Sequence, residues 1–127
     1  MQYAVPRRGV PAAASFRRWA QDAAGVTLRI VGLREGLSIN RKFRRKNKAT
    51  NVLSFESGDV VLCHPVIARE ARAQKKSLRA HYAHLVVHGL LHLRGYDHAT
   101  KAQARRMEAT EIRLLARFGF ADPYKVK

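Results

Sequence analysis

Four histidines, His81, His84, His88 and His92, follow one another at spacings of three, four and four, and His98 lies just beyond them within the string HGLLHLRGYDH. Four residues advance a helix by ~6 Å and turn it by ~40°, so on a helix these rings lie along one stripe. Leu85, Val86, Leu90, Leu91 and Leu93 flank that stripe. A polar stripe on an otherwise apolar helix predicts that His88 and His92 face the interior or a cleft. Gly95 breaks the helix and lets the chain turn back, delivering His98 to the same place. A single histidine here would be a satisfied core residue or a solvated one. Three at this spacing point instead to a metal. Neutral imidazoles with no cysteine among them suit one tetrahedral Zn²⁺ whose fourth position is left to water, the arrangement of catalytic rather than structural zinc. His81 and His84 lie earlier on the stripe, where packing is the ordinary role; support of a ligand or contact with substrate is the alternative for either. Asp97 either accepts the free ring N–H of His98, as metal-bound histidines often require, or stabilises the turn.

Ligands at i, i+4 and i+10 with glycine at i+7 also match the metzincin spacing H-E-x-x-H-x-x-G-x-x-H at every position but one. That position is Gly89. Where those proteases keep a glutamate to deprotonate the attacking water, this chain has no side chain, so peptide hydrolysis by the usual route lacks its general base.

A second feature is the basic run Arg41, Lys42, Arg44, Arg45, Lys46 and Lys48, directly before the segment TNVLSF at Thr50 to Phe55. A charge run is usually a solvated face. Its position gives it a further reading. If the NVLSF strand packs beside the histidine helix, a guanidinium at its entrance can approach a phosphate on the metal, where negative charge grows in the transition state.

Composition narrows the partners. Lysine and arginine number 25 against nine acidic residues, a net charge of +16, so the chain attracts polyanions. The most basic stretch carries only Phe43 as a bulky apolar residue, which favours nucleic acid over an anionic membrane. Cys63 is the single cysteine, which excludes an internal disulfide and a cysteine metal cage and fits a reducing compartment. Arg7, Arg8, Arg17 and Arg18 interrupt any apolar leader, and no apolar run approaches the ~20 residues of a membrane span. The expected location is cytoplasmic.

The elements that must position these residues follow from periodicity and punctuation. Gln2 to Val5 reads as a short strand ended by Pro6. Ala12 to Ala24 reads as a helix on Phe16, Trp19, Ala20 and Ala23, ended by Gly25. Val26 to Val31 alternates as a strand, and Leu33 to about Phe43 forms a second helix running into the basic run. Asn51–Phe55 and Asp59–Cys63 are two strands joined too closely for a parallel crossover, hence an antiparallel hairpin through Ser57 and Gly58. Pro65 opens a helix carrying Ile67, Ala68 and Ala71. Ser77 caps the histidine helix, which runs to about Arg94. Thr100 and Gln103 form a capping box for a last helix with Met107, Leu114, Leu115 and Phe118 on one side, closed by Gly119. The expected fold is one α+β domain over residues 1–127, a small mixed sheet surrounded by helices with a metzincin-like zinc helix.

HGLLHLRGYDH, NKATNVLSF and the terminal FGFADPY together resemble the YbeY family of bacterial endoribonucleases, with likeness from the Phe16–Trp19 helix to Tyr124. The resemblance implies an α+β fold, a zinc ion on His88, His92 and His98, one per chain, and cleavage of single-stranded RNA. It further implies ribosomal RNA processing and ribosome quality control, with the ribosome or its assembly factors as partners. It carries the family's functional arginine onto Arg44, which with His88 forms the expected catalytic pair, while Arg41, Lys42, Arg45, Lys46 and Lys48 remain candidates for RNA binding. The chain departs from the family pattern at Ala49 and Glu56, where proline is usual, and in a shorter loop from Phe55 to Gly58. Two other classes stay open: a metallopeptidase-like hydrolase, favoured by the spacing and opposed by Gly89, and a non-catalytic ribosome assembly factor with a structural metal.

Overall fold

The computed structural model describes residues 1–21, 23–44 and 49–125. In chain order its elements are β1 (Gln2–Tyr3), α1 (Ala13–Trp19), β2 (Thr27–Val31), α2 (Leu33–Arg44), β3 (Val52–Ser54), β4 (Asp59–Cys63), α3 (His64–Ala73), α4 (Leu78–Leu93) and α5 (Lys101–Arg117). The sheet has the order β1-β2-β4-β3. β1 and β2 are parallel, β2 and β4 are parallel with Thr27 opposite Asp59 and Val31 opposite Cys63, and β3 returns antiparallel to β4. The mixed sheet and surrounding helices are those of the expected α+β class.

Strand alternation divides the interior into two layers. Leu28, Ile30, Val60 and Leu62 join Val86, Leu90 and the aromatic pair Phe16 and Tyr82 in the larger core. Val31, Val61 and Cys63 point the other way and pack with Val66 and Ile39. Both covering helices approach the sheet closely at a glycine. A Cβ on Gly36 of α2 would lie 2.9 Å from the Cys63 sulfur, and one on Gly89 of α4 would lie 2.9 Å from a Val60 methyl. These contacts seat the histidine helix directly against the sheet.

The helix ends follow local chemistry. The Ser77 hydroxyl accepts from the Ala80 backbone N–H at the start of α4, and Thr100 and Gln103 complete both halves of a capping box on α5. Pro65 sits in the first turn of α3. The helix expected to reach Ala24 stops at Trp19. Gln21 adopts φ 54°, a left-handed conformation that ends the helix before Ala23 can extend its apolar face.

Candidate metal centre

α4 places His88 and His92 one turn apart, and the break after it returns His98 to face them. The Nε2 atoms of His88 and His92 stand 3.2 Å apart. The His98 ring centre lies 5.1 Å from that of His92 and 5.8 Å from that of His88. His92, Asp97 and His98 each offer a ligand atom such that all three lie within 4.8 Å of one another. Asp97 Oδ1 accepts from the His98 backbone N–H at 2.7 Å and lies 3.6 Å from its Nδ1. The same Asp97 oxygen thus both closes the turn and stands beside the His98 ring. Burial, together with the neighbouring His88 and His98, lowers the His92 pKa, favouring the neutral ring a metal requires.

The strand TNVLSF does pack beside this helix. Ser54 Oγ donates to the Gly89 carbonyl oxygen at 3.1 Å. Between strand and helix opens a cavity of about 850 Å³, lined by His88, His92 and His98 on one side and by Asn51 to Gly58 on the other. The Phe43 ring at the end of α2 meets Phe55 at 5.5 Å between ring centres, and Phe55 lines the cavity. The end of α2 thus adjoins the cavity rim. Arg44 is the last residue of α2; its side chain, and Arg45, Lys46 and Lys48 entirely, lie outside the described residues. Arg41 and Lys42 are exposed and line a separate surface depression with Arg34, Leu37 and Ser38, so they are not brought into the histidine cavity.

His84 is not at the convergence point. Its Nε2 bonds Glu111 Oε2 at 3.1 Å and lies 3.1 Å from the Tyr124 hydroxyl. His81 is buried and pairs with Glu70 at 2.9 Å, and burial lowers its pKa.

Sequence reasoning missed Glu111. It is fully buried, and its carboxylate also meets His88 Nδ1 at 3.0 Å and accepts from the Tyr124 hydroxyl at 2.6 Å. Burial alone would raise its pKa, but the hydrogen bonds from His84, His88 and Tyr124 outweigh that and hold it at about 2. The available signal was an acid one turn after Met107 and one turn before Leu115, inside the apolar side of α5; buried charge demands partners.

The family model described as Endoribonuclease YbeY matches residues 7–119. The chain is similar to the Endoribonuclease YbeY of Stenotrophomonas maltophilia strain R551-3, 47% identical over 98% of this chain and 91% of that protein. It is similar also to that of Nitrosomonas eutropha, 46% identical over 100% and 98%. In fold it resembles the solution structure of TM1509 from Thermotoga maritima, with a TM-score of 0.54, 19% identity and 98% of each chain covered. With near one-half identity sustained along its length and a family match spanning all but its ends, the chain belongs to the endoribonuclease YbeY family.

Proposed function

We propose that this protein is a zinc-dependent, single-strand-specific endoribonuclease acting in ribosomal RNA processing and ribosome quality control. The observation that carries the metal reading is the pair of Nε2 atoms from His88 and His92 facing each other at 3.2 Å beside the His98 ring. An all-imidazole donor set with one adjacent carboxylate suits zinc. His88, His92 and His98 would hold one ion per chain. Asp97, whose oxygen is engaged by the backbone N–H of His98, supports the turn that presents the third ligand.

Bound there, zinc supplies Lewis acidity, lowering the pKa of water at the site toward ~7 and polarising a phosphoryl oxygen. A dedicated carboxylate base is then less necessary, which accords with Gly89 having no space for a side chain. The cavity of about 850 Å³ lies along β3 and offers room for an extended strand. Arg44, at the end of α2 beside the cavity rim, is assigned to the scissile phosphate, where its forked donors match two phosphate oxygens. Arg41, Lys42, Arg45, Lys46 and Lys48 add a positive field that holds the RNA backbone. The net charge of +16 supports a polyanionic substrate.

Among the described residues no helix is long and apolar enough to cross a membrane, and the proposed setting is the cytoplasm, with ribosomal RNA and the ribosome or its assembly factors as partners. The deciding experiment is turnover of a labelled single-stranded RNA with and without a chelator. Cleavage that stops on chelation and returns with zinc is expected; cleavage indifferent to chelator removes the metal from the mechanism, and no cleavage in any metal favours an assembly factor.

A further inference from the structure

Glu111 belongs to α5, yet its carboxylate meets His88 at Nδ1, the ring nitrogen opposite the one that faces His92. An ionised carboxylate accepts hydrogen bonds and donates none. Its three neighbours must therefore each donate: the Tyr124 hydroxyl to Oε1 at 2.6 Å, and His84 Nε2 and His88 Nδ1 to Oε2 at 3.1 and 3.0 Å. A neutral imidazole has a single N–H. If that proton of His88 is on Nδ1, its Nε2 carries a lone pair, and Nε2 is the atom that faces His92. The same rule applied to His84 leaves its Nδ1 as a bare acceptor, and that buried atom has no hydrogen-bond partner among the described residues, a smaller penalty for a lone pair than for an orphaned N–H.

We infer that Glu111 is a positioning residue for the metal: it takes the Nδ1 proton of His88 in a hydrogen bond, fixing the tautomer and ring orientation in which Nε2 is a ligand. Tyr124 and His84 hold the carboxylate in place from its other sides. Because Tyr124 follows α5 in the FADPY segment, the C-terminal segment becomes part of the ligand's support. The inference rests on His88 being a metal ligand, as proposed above, and adds to it a residue on a different helix. A purely structural Glu111 would stabilise the packing of α4 on α5 without choosing between the two His88 nitrogens.

The test uses the full chain and zinc alone. Zinc affinity is measured by competition with a chromophoric chelator for the parent, Glu111→Gln and Tyr124→Phe. Long-range proton–nitrogen spectra of the metal-free proteins read the His88 tautomer. The parent is expected to show His88 protonated on Nδ1. Glu111→Gln, which keeps the shape but loses the charge, should bind zinc about 10- to 100-fold more weakly, the usual cost of removing such a partner, and should lose the single His88 tautomer. Tyr124→Phe removes one of the donors that hold Glu111 but not the carboxylate that meets His88, and should weaken zinc binding by less than Glu111→Gln does. If the parent takes up zinc and Glu111→Gln matches it in affinity and tautomer, Glu111 is structural only. If the parent binds no zinc, the metal reading itself falls. Should Glu111→Gln not fold, a parent His88 protonated on Nε2 alone would still overturn the assignment, and Nδ1 protonation with a zinc-induced shift confined to Nε2 would support it.

Discussion

The Ser54 hydroxyl on β3 donates to the backbone carbonyl oxygen of Gly89 on α4 at 3.1 Å. This bond joins the edge strand that forms one wall of the histidine cavity to the helix that forms the other. It exists because Gly89 lets the two backbones approach. A Cβ there would lie 2.9 Å from a Val60 methyl, 3.1 Å from Ser54 Oγ and 3.5 Å from a Val52 methyl.

Gly89→Ala should therefore destabilise the protein despite the higher helix propensity of alanine. The propensity gain is about 1 kcal/mol, whereas overpacking a well-filled interface costs about 1–3 kcal/mol. Val60 is fully buried in the sheet and has little room to yield. The midpoint of urea unfolding is expected to fall, and Gly89→Glu should fall further without gaining peptidase activity. An unchanged midpoint for Gly89→Ala would mean that β3 moves away freely.

Removing His88 or His92 tests the metal centre directly. Each alanine variant should lose stoichiometric zinc, measured as metal content after desalting, because two remaining protein donors hold the ion poorly against water. One retained zinc per chain in either variant would place the metal elsewhere.

The acid response of the metal-free fold has a separate source in His64. Its Nδ1 lies 2.7 Å from the Tyr82 hydroxyl, Tyr82 is fully buried, and burial lowers the His64 pKa. A histidine with a depressed folded pKa binds fewer protons folded than unfolded, so stability is present in full above the ordinary value of ~6.5 and declines as pH falls through the lowered folded value. His64→Asn keeps an acceptor near the Tyr82 hydroxyl but does not titrate. Its stability should change less than the parent's between pH 7 and pH 5 in urea titrations; equal changes would show that His64 takes no part.

Much of this was legible in the sequence because the signals were local. Ser77, Thr100 and Gln103 announced helix starts that the structure reproduces at the same residues, and the short Phe55–Gly58 connection required an antiparallel β3–β4 pair. Other features needed contacts between distant residues. Nothing in the order of the strands along the chain says that β4 inserts between β2 and β3. The early end of α1 depends on the left-handed Gln21, which apolar periodicity alone does not register. Glu111 was hidden for a similar reason: the histidines it binds lie 23 and 27 residues away.

The last prediction separates Arg44 from its basic neighbours. If the run at Arg41 to Lys48 is only an electrostatic footprint, its members are interchangeable, and Arg44→Lys costs no more than any other single change. A forked guanidinium on the scissile phosphate is different, because a lysine ammonium cannot reproduce two parallel hydrogen bonds in that geometry. Loss of one preorganised donor typically lowers the chemical rate by a factor of ~100 to ~1000. Arg44→Lys and Arg44→Ala should therefore keep the fold, the zinc and most RNA affinity while losing most single-turnover cleavage. Lys46→Ala should do the reverse, weakening affinity, and replacing both Arg45 and Lys46 by alanine should flatten the slope of log affinity against log salt, since fewer counterions are released. Equal single-turnover rates for Arg44→Lys and the parent at saturating RNA would remove the catalytic assignment and leave Arg44 as one more charge in the field.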